Sequence, residues 1–499
     1  MDFEVISKVL FPELILLAGI VITIIASFLN PVKKHTAGIA STFTLLAALA
    51  SLKQILAGLP EDSETILLGS FAQDGLSIYF RFLIYSVTFL IILGSNQYLK
   101  VLESPAEYYP IMMTAALGAG FLTGANDFLL FIVALETLGL SAILITSYAR
   151  KNQASNEAGI KYLINSALAT AVLLLGVSFI YGLTGLTNFD MVALRLYQLN
   201  IFGIVSVPLM TLVVVCLVSA VGFKLAAAPF HNWSPDVYTG APTTTTLFLS
   251  VVSKTAILGL AIRLFSTVLN NELVTILFAV LAGLSIIIGN YVGLIQMISR
   301  GSTKRLLAYS SIAQAGYLLV GLAVFQKESL AALVMYLTVY AVMNTGAFLC
   351  LIYFEQSTHS TKIYDFAGLI QKRPTMTILF SLCLINLAGL PFIPAGFIAK
   401  FFLFSSAFSS GLGYGKFLAI LGLIGSLIAL YYYLYLVKIM VVDPVSTPVK
   451  ELPEKDLHEG FGLVKIAAMI SVAIMFGFGI FGMGMIRDLT TLVVGGVAG

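Results

Sequence analysis

The sequence predicts an all-α polytopic membrane protein of about 14 transmembrane helices, with two inverted five-helix repeats and broken seventh and twelfth helices. Three observations carry that expectation. Of the 499 residues, 59% are hydrophobic and 10% charged, with mean hydropathy +1.00, whereas soluble domains are about half apolar and a quarter charged. Apolar runs of about 20 residues, long enough at 1.5 Å per residue to cross a hydrocarbon core of about 30 Å, recur throughout the chain. Two proline-rich interruptions occupy related places in its halves.

Apolar runs read against charged or Pro/Gly punctuation place spans near 12–29, 37–57, 75–96, 108–124, 127–148, 160–182 and 206–227. The second half continues with 243–267, 273–298, 304–324, 329–354, 376–408, 414–440 and 463–486. Four regions follow: three helices in 1–105, five in 106–270, five in 271–440, and a loop with the last helix in 441–499. An even number of spans puts both termini on one side. Because five is odd, two consecutive five-helix units have opposite orientation in the membrane.

Connections after odd-numbered helices carry Lys33 and Lys34, Lys100, Arg150 and Lys151, Arg300 with Lys304 and Arg305, Lys362 with Lys372 and Arg373, then Lys450 and Lys455. By the positive-inside rule these face the cytoplasm. The other connections offer Glu61, Asp62 and Glu64, then Asn126 and Asp127, with Arg195, Lys327 and Lys416 as exceptions. Both termini are therefore expected on the non-cytoplasmic side. Asp2 and Glu4 stand where a secretory signal carries basic residues, so the first helix is expected to remain. A net charge of +3, dispersed in short connections, argues against nucleic-acid binding. Cys216, Cys350 and Cys383 lie singly in apolar stretches, which indicates packing rather than a disulfide framework or an iron–sulfur cluster.

The interruptions are Ala-Ala-Pro229-Phe230-His231 at the seventh helix and Gly389-Leu-Pro391-Phe392-Ile-Pro394-Ala-Gly396 within the twelfth. Proline removes a backbone donor and clashes with the preceding turn. In lipid, the freed backbone groups must be satisfied by protein or water, so paired breaks mark cavities of repeat-built transporters.

Ionisable groups inside spans cost a few kcal/mol on insertion scales and mark functional sites by default. Glu136, Lys224, Lys254 and Lys400 all sit mid-span. Burial disfavours the charged form of carboxyl and amine alike, while pairing opposes it, so such a set can take up and release protons. A Glu136–Lys224 ion pair would form a switch whose titration belongs to the coupled set. Static pairs that fix helix packing are the competing reading, weakened by three lysines facing one glutamate.

His231, just past Lys224, reads either as a proton relay or as a hydrogen-bonded stabiliser of the break. His35, His359 and His458 sit in polar connections and read as solvated. Arg81, Arg263 and Lys438 are expected to snorkel from span ends, and Asn126-Asp127 to cap a helix. Gly477-Phe-Gly479-Ile-Phe-Gly482 matches a dinucleotide fingerprint but lies in an apolar span without a preceding strand, so it reads as helix packing.

The stretch Lys224-Leu-Ala-Ala-Ala-Pro-Phe-His-Asn-Trp-Ser-Pro-Asp-Val-Tyr-Thr-Gly-Ala-Pro242, followed by Ser250-Val-Val-Ser-Lys254, resembles the antiporter-like subunits of complex I, of the proton-conducting membrane transporter family. Leu135-Glu136-Thr-Leu-Gly-Leu-Ser141, Ser155-Asn-Glu-Ala-Gly-Ile-Lys-Tyr162 and Gly389-Leu-Pro-Phe-Ile-Pro-Ala-Gly-Phe-Ile-Ala-Lys400-Phe extend the resemblance to essentially all the spans, and it is strongest for the type called N, 2 or B.

The resemblance implies the same 14-helix fold with a central polar axis, and a proton-carrying role for Glu136, Lys224, Lys254 and Lys400. A lysine at 400 argues against the sister type that has a glutamate there, and the short region after the last helix argues against the distal type with its lateral helix. Thr243-Thr-Thr-Thr246 is more polar than the Pro- and Val-containing run of that family, which bears on local packing or hydration.

The implied function is proton translocation coupled to quinone reduction by an NADH- or ferredoxin-type donor. This chain would hold no cofactor, with quinone, iron–sulfur clusters and flavin in partner subunits. Further antiporter-like subunits and the lipid of a bacterial plasma membrane or thylakoid-type membrane are the implied surroundings. A subunit of a multi-subunit Na+/H+ antiporter shares the fold and the buried charges but lacks electron input. A membrane scaffold with inert charges is a third reading.

Overall fold

The computed structural model describes residues 3–29, 33–60, 63–101, 105–201, 203, 206–391, 394–452 and 462–495. Asp2, Glu61, Asp62, Phe392, Lys455 and His458, used in the sequence reading, lie outside them. The described chain is nearly all helical, and 12 of its helices are long and apolar enough to cross a membrane. Its named strands, Glu64–Ile66 and Phe71–Gln73, form one antiparallel hairpin with Glu64 opposite Gln73.

The long helices in chain order are α1 (Phe11–Phe28), α2 (Thr36–Leu56), α3 (Gly75–Ser95), α4 (Pro105–Gly124), α5 (Phe128–Thr146), α6 (Gln153–Thr184) and α7 (Val207–Lys224). They continue as α8 (Thr243–Thr267), α9 (Glu272–Ile298), α10 (Thr303–Val324), α11 (Lys327–Thr358), α12 (Pro374–Ala388), α13 (Pro394–Ser409), α14 (Gly413–Val441) and α15 (Gly462–Gly477). Each matches an expected span. The expected twelfth span is divided into α12 and α13.

Side-chain caps mark several starts. Asp127 accepts from the Leu129 amide at 2.7 Å to begin α5, as expected, and Asn271 accepts from Val274 at 3.0 Å to begin α9. The ends at the two breaks have different chemistry. After Lys224 the chain turns through Leu225 and Ala226, with Pro229 following, before a short helix at Trp233–Gly240. At the other break Gly389 adopts φ +84°, and its amide donates to the carbonyls of Ile385 and Asn386 at 3.1 and 3.0 Å.

The core is mainly apolar, as in a soluble bundle, but the outer face is apolar as well. Leu168, Ile164 and Leu427 point outward from α6 and α14, where lipid is the solvent. Polar side chains gather on α8, α10 and α11, the inner helices: Thr243 to Thr246, Ser250, Lys254, Ser311, Gln314 and Asn344 are all buried. Backbone self-satisfaction lets any helix enter lipid, but each buried side-chain polar group needs its own partner.

One expectation is corrected. Arg81 and Arg263 do not snorkel. Arg81 is fully buried and pairs with Glu13 at 3.1 Å, with Tyr85 donating to the same carboxylate at 2.8 Å, and Arg263 pairs with Asp74 at 2.8 Å. The acidic partners stand far away in sequence, which hid the pairing. The Gly477–Gly482 stretch forms a π turn between α15 and a helix at Met483–Gly495 and packs against α13, although a Cβ added at Gly477 itself would meet nothing within 4 Å. Lys438 does reach outward, half-exposed and 3.2 Å from Asp443. The three cysteines are free and buried.

Candidate functional site

The site is built around four ionisable side chains on α5, α7, α8 and α13. Glu136 is half-buried on α5 and accepts a hydrogen bond from Thr170 of α6 at 2.7 Å. Lys224, the last residue of α7, donates to Ser166 of the same α6 at 2.8 Å. Ser166 and Thr170 are four residues apart and so lie on one face of α6. Among the described contacts there is no direct Glu136–Lys224 ion pair, although each lies within electrostatic reach of the other. Two hydroxyls on one helix take its place. A cation at the C-terminal end of α7 is also favoured by the helix dipole.

Lys254 is buried at the end of a π turn, Leu249–Ser253, within α8. Single π turns inside α-helices recur at functional sites, because they misalign backbone groups that a regular helix would satisfy. Here Ser250 offers its carbonyl to the Tyr340 hydroxyl at 3.1 Å and its own hydroxyl to Asn344 at 3.0 Å. Lys254 donates to the carbonyl and hydroxyl of Ser311 on α10 at 2.5 and 2.7 Å. Ser311 shares a 3.2 Å hydrogen bond with Tyr340.

Lys400 is buried on α13 and donates to the carbonyls of Leu387 and Ala388 at 2.8 and 3.2 Å. These are the last carbonyls of α12, left without intrahelical partners by the break. The ammonium also stands 5.1 Å from the centre of the Tyr317 ring. Gln314, between Ser311 and Tyr317 on α10, donates to the Leu387 carbonyl at 3.5 Å and accepts from Tyr336. One face of α10 thus leads from Lys254 at Ser311 to Lys400 at Gln314 and Tyr317.

The side of Lys254 towards Glu136 is lined by two buried tyrosines. Tyr238 stands within electrostatic reach of Tyr162 and Tyr340, and Tyr162 within that of Glu136. His231 stands apart. It is half-buried in the turn after α7, with Nδ1 lacking a hydrogen-bond partner among the described residues and no recorded bond to Lys224 or Lys254.

A hydroxyl both donates and accepts, so a chain of amine, hydroxyl and carboxylate groups can pass protons without moving heavy atoms far. Sequence reading singled out the charges but missed Ser166, Thr170, Ser311, Gln314, Tyr317, Tyr340 and Asn344. Their signal was present as polar residues one turn apart inside apolar helices, at 166 and 170, 311 and 314, and 340 and 344.

A polytopic helical protein with interrupted helices and a buried line of titratable groups is a membrane ion translocator by architecture. This chain belongs to the NADH:quinone oxidoreductase/Mrp antiporter transmembrane family, whose profile matches residues 125–429. It is 39% identical over 475 residues, 94% of this chain and 91% of the relative, to NAD(P)H-quinone oxidoreductase subunit 2 of Prochlorococcus marinus strain AS9601. Among solved structures it resembles a chain of respiratory complex I from Thermus thermophilus, at 28% identity and TM-score 0.72, covering 94% of this chain and 98% of that one. A chain of the Mrp complex from Dietzia sp. DQ12-45-1b shares the fold at 18% identity and TM-score 0.80, covering 98% and 96%.

Proposed function

We propose that this chain is a proton-translocating membrane-arm subunit of a complex I-type oxidoreductase, of the type called 2, N or B. Glu136, Lys224, Lys254 and Lys400 carry the protons. The observation that supports this most is the hydroxyl and amide lining that joins Lys254 to Lys400 along α10 and Glu136 to Lys224 along α6. A merely structural set of charges needs carboxylates as partners. The three lysines are held instead by hydroxyls and carbonyls, which leave them free to change protonation state.

In this reading the electrons never enter the chain. Quinone, iron–sulfur clusters and a flavin or other donor site belong to partner subunits, and their turnover shifts the buried charges here. Further antiporter-like subunits flank it in a bacterial plasma or thylakoid-type membrane, with both termini on the non-cytoplasmic side. The units 106–270 and 271–440 are inverted repeats, each contributing one broken helix.

The reading is tested by isolating the tagged chain in mild detergent and reconstituting what accompanies it. Co-purification with redox subunits, and proton uptake that needs donor and quinone but not Na+, is the expected result. Isolation without redox subunits, together with Na+-dependent proton exchange, contradicts it in favour of an antiporter subunit.

A further inference from the structure

A cavity of about 630 Å3 opens between the ends of α3 and α11 and the starts of α8 and α10. Lys100, Asn152 and His359 at its rim are exposed, and the connections that line it are those whose lysines and arginines point to the cytoplasm. Glu355 is half-buried at its inner end. Its two oxygens have different neighbours. Oε1 faces the Lys304 ammonium at 3.6 Å, a loose pair because Lys304 is already bound to the Ala241 carbonyl at 2.9 Å. Oε2 accepts from the hydroxyl of Thr243 and, at 3.4 Å, from that of Tyr98, which in turn accepts from the Thr243 amide at 3.1 Å.

Beyond Glu355 the polar lining continues inward. Thr244 and Thr245 are fully buried and share the Tyr108 hydroxyl, at 2.9 and 2.8 Å. Ser250 follows five residues further along α8, a rise of about 7.5 Å. Its backbone carbonyl accepts from the Tyr340 hydroxyl, which shares a hydrogen bond with Ser311, the partner of Lys254. Nothing in helix packing requires four consecutive buried threonines, and each one costs desolvation unless it is bonded.

We propose that Glu355 collects protons from the cytoplasmic side and passes them through Thr243, the Thr244–Thr245–Tyr108 cluster and Ser250 to Lys254. This rests on the proton-translocating reading above. Each hydroxyl takes one proton as it gives one up, water bridges Thr243 to the Thr244–Thr245–Tyr108 cluster, Thr245 to Ser250 and the Ser250 hydroxyl to that of Tyr340, and the proton passes by Ser311 to the neutral amine of Lys254, with no electron moved. The charged and titratable groups facing Glu355 are Lys304 from α10, Tyr98 and Lys100 from the segment after α3, and His359 at the end of its own helix. Burial, and then the carboxylate beside it, push the Tyr98 hydroxyl up, so Tyr98 stays a donor to Glu355.

The test compares Glu355→Gln, Glu355→Asp and Lys254→Ala in the assembled, reconstituted complex, recording protons taken up per electron across a pH series. The glutamine is expected to lower uptake several-fold with a loss that steepens as pH rises, because scarce protons make collection limiting, and the aspartate to restore most of it. A wild-type ratio and pH profile in Glu355→Gln, with uptake lost in Lys254→Ala, overturns this path and leaves the translocation reading standing. Wild-type behaviour in both overturns the two together. If Glu355→Gln does not assemble, Thr243→Val decides: an alkaline-steepening loss supports the path and a wild-type profile refutes it.

Discussion

The ammonium of Lys400 lies 2.8 Å from the carbonyl oxygen of Leu387, on the last turn of the helix that precedes its own. The break between α12 and α13 therefore creates the acceptor for the lysine that follows it. A regular helix would have kept that carbonyl for itself.

Gly389 makes this contact possible, since it holds φ +84° and a Cβ there would come within 3.1 Å of the Lys400 side chain. Gly389→Ala is expected to cost about 1–2 kcal/mol of backbone strain and to displace Lys400. Proton uptake per electron should fall while the subunit still assembles, as measured in sealed vesicles with blue-native gels as the assembly control. An unchanged ratio would mean that Lys400 does not depend on the Leu387 carbonyl.

How much of this was legible in the sequence differs by element. The spans, the two breaks and the charges within the apolar runs could be read directly, because lipid demands long apolar runs and proline and glycine punctuate them, although Lys224 ends α7 rather than sitting mid-span. Arg81 and Arg263 were misread, because distance from a span end says nothing of a carboxylate that folding brings from 68 or 189 residues away. The bridging role of Ser311 was invisible, because a serine in an apolar helix is common and only the opposing Lys254 gives it meaning.

Ser311→Ala removes the hydroxyl between Lys254 and Tyr340 but keeps the carbonyl contact. A hydrogen bond to a charged group contributes about 1.5–3 kcal/mol, so proton-coupled turnover should slow roughly tenfold or more. Ser311→Thr keeps the hydroxyl and should remain near wild type. Coupled quinone-reductase rates for the two variants check this, and equal rates would remove Ser311 from the path.

Arg81 supplies the structural contrast. Replacing it with alanine leaves Glu13 buried and unpaired, at a cost of about 3–5 kcal/mol, in a cluster outside the line from Glu136 to Lys400. Assembly and thermal stability should drop sharply, while the complexes that do form pump at the wild-type ratio. Densitometry of assembled complex alongside proton uptake separates the two effects.

The central claim is that these buried charges move protons rather than only hold helices together, and Lys224 tests it most directly because, among the described residues, its one hydrogen bond is to Ser166. Purified, fully assembled complex carrying Lys224→Ala would be reconstituted with donor and quinone, and electron transfer and proton uptake recorded together. The account predicts that both fall, or that uptake falls per electron transferred. If both persist at the wild-type ratio, the buried charges do not carry the protons and a scaffold role replaces the one proposed.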